Sequence, residues 1–321
     1  MTRRDPTALL AAVLTLHWFT RCEGAMRAEA GHAVWLSVLA AGLMLTVLCL
    51  ILHPFLPAEG LLAVCRTRKG LRFFPLVTAM LFLLLSAGAW RDALASLTRT
   101  LLPETPRHIT LLLMLPAIAV MSRTGTVPVM RTVKLLAPLL LTLFSALLLA
   151  AAWGQAEIYR IFPLFGEGLG SLANAAGTAL TAGAWLTLLF LEDEPANGAK
   201  ACLFGTLLGV AGYAVRALLL PLAARGWAQT LSGLLLLPVQ LAAVCAGLTC
   251  AARCLQSVLP AKQPCLWLYA LLPPLALCAA SGNPVWLTVL LPWWPCALFL
   301  LHIMILFLTR MRTAKEGCRD A

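Results

Sequence analysis

The chain has 321 residues, of which 61% are hydrophobic and only 12% charged. Ordinary soluble domains are roughly half apolar and a quarter charged, so this chain could not cover a water-facing surface, and a soluble fold is excluded. The net charge of +11 does not point to nucleic acid, because Lys and Arg gather in short segments between apolar blocks, as topology determinants do.

The apolar blocks are about 20 residues long, the length that crosses a hydrocarbon core about 30 Å thick. They lack the alternation of barrel strands, so helices are predicted. In chain order the first five spans fall at about 7–20, 32–53, 73–95, 109–122 and 131–153. The second five fall at about 169–191, 201–222, 227–252, 264–281 and 284–309. The internal prolines Pro116, Pro138, Pro238 and the pair Pro273-Pro274 are compatible with membrane helices, where neighbours re-satisfy the freed backbone groups.

The first span follows Arg3-Arg4 and precedes an Ala28-Glu29-Ala30 triplet, as a secretory signal does. Arg21, Glu23 and Arg27 lie between the apolar run and that triplet, which argues for a retained span. With the N-terminus inside, most of the basic residues, including Arg66, Arg68, Lys69, Arg72, Arg123, Arg310 and Arg312, fall on the inner side. Both termini are therefore expected in the cytoplasm, with an even number of spans.

Ten spans divide into five and five, the odd count per half that an inverted-topology repeat requires. The expected division is residues 1–154 and 155–321 within a single transmembrane domain, with helices one and six broken near the midplane. Span one is short and runs into polar Thr20-Arg21-Cys22-Glu23-Gly24. Span six follows Gly166-Glu167-Gly168-Leu169-Gly170 and contains Asn174, Gly177 and Gly183. Short or glycine-interrupted segments at corresponding positions point to a ligand site, while glycines in membrane helices also serve close packing.

Several short runs resemble a known family, the GerAB-type spore germination permeases of the amino acid–polyamine–organocation superfamily. Leu102-Pro103-Glu104-Thr105-Pro106, before span four, is similar to their LP-x-TP element. Arg123-Thr124-Gly125-Thr126-Val127, followed by Arg131 and Pro138, resembles their G-x-x-x-x-x-R turn into span five. Phe162-Pro163-Leu164-Phe165-Gly166-Glu167-Gly168, with Phe190-Leu191-Glu192 at the end of the next helix, is similar to their P-x-x-x-G and acidic elements around span six. Ala30-Gly31-His32-Ala33-Val34-Trp35 matches the A-x-x-D-A-W start of span two, with His32 in place of Asp.

The resemblance implies a nutrient-sensing receptor subunit of the spore inner membrane, or of the cell membrane. Its implied partners are the lipid bilayer, a small-molecule nutrient, an A-type membrane subunit and a C-type lipoprotein. One departure concerns the site itself. His17-Trp18-Phe19-Thr20 stands where the family carries small residues at the unwound part of helix one.

The ligand-binding candidates are Asn174, Gly170 and Gly177 on span six, Thr20 and His17 on span one, Gln240 on span eight and Ser86 on span three. An amide and free backbone N–H groups at a helix break suit an amino or carboxylate group. His17 also fits a packed, hydrogen-bonded role. Arg216, deep in span seven, either snorkels outward or pairs with an acid such as Glu167. Glu192-Asp193-Glu194 reads as a solvated helix end, and Arg66-Thr67-Arg68-Lys69 as a topology signal that touches anionic headgroups.

No HExxH, GxSxG or GxxxxGK[ST] pattern occurs, so no catalytic residue, metal or cofactor is expected. The eleven cysteines include no CxxC pair; Cys49, Cys202, Cys245 and Cys278 lie within apolar blocks as small hydrophobes. The leading expectation is a germinant-receptor subunit that binds an amino acid. A proton- or sodium-coupled amino acid transporter and a membrane scaffold with a vestigial pocket are the rivals.

Overall fold

The computed structural model of the chain describes residues 6–18, 26, 30–53, 73–100, 102–123, 168–190, 198–218, 226–259 and 265–280. The regular elements among them are helical. They are α1 (Pro6–His17), a turn of 3-10 helix (Gly31–Ala33), α2 (Val34–Leu52), α3 (Phe74–Thr100) and α4 (Arg107–Arg123). Then come α5 (Leu169–Leu180), which continues as a 3-10 segment (Thr181–Phe190), α6 (Gly198–Leu218), α7 (Gly226–Val258) and α8 (Cys265–Ala280). These lie at expected spans one to four and six to nine; spans five and ten fall outside the described residues.

Proline positions explain several boundaries. Pro6 opens α1 and Pro75 sits in the first turn of α3, where the missing N–H costs no helical bond. Pro54 and Pro260 follow the ends of α2 and α7 in sequence, and the residue before a proline is pushed out of the helical region. Within the spans, hydroxyls close onto their own helix. Thr46 donates to the Gly42 carbonyl at 2.7 Å, Thr78 to Phe74 at 3.0 Å, Ser86 to Phe82 at 2.7 Å and Thr249 to Cys245 at 2.8 Å. That back-bonding satisfies a hydroxyl where water is scarce.

The outer surface is apolar. Leu43, Met44, Val47, Leu50 and Ile51 are exposed on α2, Leu112, Leu113 and Val120 on α4, and Phe204 and Leu207 on α6. Helices that are apolar all round suit a lipid surround. By length and composition three segments can each cross a membrane: Val34–Ile51, Phe74–Thr98 and Gln240–Val258. Gly198–Ala214 and Trp267–Cys278 are shorter apolar helices.

Packing sorts the helices into two groups. In the first, α2 lies along α6 and α5, and α1 lies against α6 and the 3-10 segment. In the second, α3 lies along α7, and α8 packs on α3, α4 and α7. Small residues set the close seams: a side chain at Gly42 would strike Thr206, and one at Gly247 would strike Ser86. Within the first group the Cys49 and Cys202 thiols sit 3.6 Å apart, both buried.

Candidate functional site

The end of α1 meets the place where α5 changes winding. The α-helix ends at Leu180 and tighter 3-10 winding begins at Thr181. Trp18, just past α1, sends its indole Nε1–H to the Ala179 carbonyl at 2.9 Å. Its own carbonyl, one of those left over at a helix end, accepts the Tyr213 hydroxyl of α6 at 2.7 Å. Trp18 is fully buried.

His17 ties the same two elements together, and the donors fix its tautomer. An indole N–H can only donate, so at 3.4 Å Trp185 Nε1 gives its hydrogen to His17 Nδ1. The imidazole proton then sits on Nε2 and is donated to Thr181 Oγ1 at 3.2 Å. The Thr181 hydroxyl passes its own hydrogen to the Thr178 carbonyl at 2.7 Å. The result is one directed chain from the 3-10 segment through α1 and back to α5. With Trp18 at 0% and Trp185 at 2% exposure, the junction is closed by aromatic side chains.

The predicted site residues scatter around this junction. His17 is buried within it. Asn174 and Gly170 are exposed on α5, Gly177 is half-buried, and all three precede the change of winding at Thr181. Thr20 falls outside the described residues. Ser86 is buried and bonded to the Phe82 carbonyl at the α3–α7 seam, apart from the junction. Gln240 is 2% exposed on α7 with no partner for its Oε1, and on α3 the Trp90 Nε1 is likewise buried without a partner. Arg216 lies within α6, and its side chain is outside the described residues.

Sequence reasoning missed Thr181, Trp185 and Tyr213, and read Trp18 only as a bulky departure. Tyr213 did carry a signal: the chain has three Tyr, and a phenol inside an apolar block needs a hydrogen-bond partner. Among the described residues no group of His, Cys, Asp or Glu could hold a metal ion.

One family model, described as "Spore germination protein" (Spore_permease), matches residues 22–230, well over half of the chain. No curated protein matches it.

Proposed function

The chain belongs to the spore germination protein family, a non-enzymatic family of membrane proteins, and from that premise we propose that it is the permease-like subunit of a germinant receptor. In this reading it binds a small nutrient, an amino acid in the first instance, where spans one and six meet, and so triggers germination. Ten spans in two inverted halves, 1–154 and 155–321, with both termini cytoplasmic, complete the proposed architecture. An A-type membrane subunit and a C-type lipoprotein are the proposed partners.

The observation that carries the reading is the junction itself. The end of α1 and the α-to-3-10 change after α5 are held together by Trp18, His17 and Thr181. A stretch of 3-10 helix this long within a span is uncommon and often marks a hinge. Support for the repeat comes from pairings between the halves, since spans one and six, two and seven, three and eight, and four and nine are each in contact. Ligand binding can act as a signal by its differential affinity for the closed and open junction.

A second reading has its own observation. The aromatic closure of the junction favours a scaffold subunit whose pocket is vestigial. A thermal-shift titration of the detergent-purified protein with amino acids, nucleosides and sugars separates the two. Receptor function predicts a dose-dependent rise in melting temperature for one ligand class, lost in Thr181→Val and reduced in Asn174→Ala. A flat response across the library, from folded protein, overturns nutrient binding by this subunit alone. Saturable flux of the same ligand in proteoliposomes identifies a transporter instead.

A further inference from the structure

Away from the α1–α5 junction, the last turns of α4 and the start of α8 enclose a cleft with about 200 Å³ of open space against α7. Its walls are apolar: Ala119 from α4, Leu248 from α7 and Leu272 from α8. Its polar groups are Ser122 and Arg123 from α4 and Tyr269 from α8. Pockets that enclose a drug-sized ligand begin at about 300 Å³, so this cleft takes one part of a larger molecule.

Ser122 is the unusual member. It is 1% exposed, and its hydroxyl has no hydrogen-bond partner. Ser86 and Thr249, equally inside their helices, close onto the carbonyl four residues back. For Ser122 that carbonyl belongs to Ile118, which the Cys245 thiol contacts at 3.9 Å. A buried hydroxyl without a partner costs about 1–3 kcal/mol, a cost removed when an acceptor occupies the cleft. Arg123 is exposed at the same end and Tyr269 is half-exposed. Beyond the cleft the α4 and α8 surfaces turn apolar, with Val120 and Leu277 exposed.

From this arrangement we infer that the cleft binds an anionic phospholipid. The phosphodiester sits at the Arg123 guanidinium, which presents paired donors to phosphate oxygens. Ser122 and Tyr269 donate to the phosphate or to an ester oxygen, and an acyl chain lies over Ala119, Leu248 and Leu272. The carbonyl end of α4 disfavours an anion, and Arg123 in its last turn offsets that. Arginine, tyrosine and serine above an apolar trough match an amphiphile with a negative head, which a soluble nutrient is not.

The test is lipid titration of delipidated protein in a neutral detergent, read by native mass spectrometry and by melting temperature. Phosphatidylglycerol is expected to occupy one preferred site and raise the melting temperature with dose, phosphatidylcholine to bind at least tenfold more weakly. Inorganic phosphate at equal concentration should neither shift melting nor displace the lipid. Arg123→Gln should weaken phosphatidylglycerol binding tenfold or more, and Arg123→Lys by less. Ala119→Phe, which fills the trough and keeps every polar group, should also release the lipid and covers the case in which Arg123→Gln misfolds. Equal binding of the two lipids, or retention of phosphatidylglycerol by both Arg123→Gln and Ala119→Phe, overturns the assignment. Phosphate that acts as the lipid does reduces the cleft to a simple anion site.

Discussion

The hydrogen-bond chain through His17 makes a quantitative prediction for a double-mutant cycle. His17→Leu removes the acceptor for Trp185 Nε1 and the donor to Thr181 Oγ1. The indole N–H is then orphaned in a site where Trp185 is 2% exposed, a loss worth about 1–3 kcal/mol for a buried donor. The 3.4 Å length of the existing bond is beyond the usual 2.9–3.0 Å, so the lower half of that range applies, about 1–2 kcal/mol. Thr181→Val costs about 1 kcal/mol, because it orphans His17 Nε2 while the Thr178 carbonyl keeps the Thr181 backbone N–H. The double variant breaks the His17–Thr181 bond only once. Its loss should therefore fall short of the summed single losses by about 0.6–1.7 kcal/mol, the range found for hydrogen bonds between membrane helices. Equilibrium unfolding in mixed micelles, followed by tryptophan fluorescence, reads all four corners. Additivity within about 0.3 kcal/mol would show that His17 and Thr181 do not share a bond, and the directed chain would fall.

Two further perturbations address the seams. Gly247→Ala should destabilise by about 1–3 kcal/mol, because its new methyl meets the Ser86 hydroxyl and lies 3.1 Å from the Phe82 carbonyl. Ser86→Gly should recover part of that loss, and no recovery would place the strain elsewhere. At the α2–α6 seam, the Cys49 and Cys202 sulfurs need to close from 3.6 Å to about 2.0 Å to form a disulfide. Oxidation with a membrane-permeant copper–phenanthroline complex should yield a species about 2 Da lighter that Cys49→Ala cannot form; an unchanged mass in the parent protein refutes the pairing.

Much of the architecture is legible in the chain because lipid leaves so few options. Apolar blocks of helical length, with no room for unsatisfied backbone, become helices at spans one to four and six to nine. The weight placed on spans one and six was also legible, from the short first block and the glycines of the sixth. What the sequence conceals is which stripe of a helix turns inward. On α5 the glycines and Asn174 looked like the functional face, yet Ala175, Ala176 and Ala179 are the buried residues. Asn174 and Gly170 lie on the opposite side, exposed. Both stripes are made of small residues, so local pattern gives no preference; the neighbouring helix decides. The aromatic closure was hidden for a related reason, since a tryptophan in an apolar block reads equally as lipid-facing, core or gate. Only its partners, the Ala179 and Trp18 carbonyls, separate those roles, and they are distant in sequence.

The closure also bears on affinity. For a nutrient to reach the backbone at the junction, Trp18 must release the Ala179 carbonyl and His17 must release Thr181. Two interhelical hydrogen bonds at about 0.6 kcal/mol each, together with partial exposure of a buried indole at about 1–2 kcal/mol, put the opening near 2–3 kcal/mol. Opening at that cost lowers apparent affinity roughly 30- to 150-fold below the intrinsic value. A family member with small residues at the end of helix one carries no such cost. Trp18→Ala therefore distinguishes a gate from a plug. If the junction is a gate, its removal should tighten nutrient binding toward the intrinsic affinity even as it destabilises the fold. If the aromatic residues are a plug in a pocket with nothing left to recognise a ligand, the same substitution should leave a cavity and no binding at all.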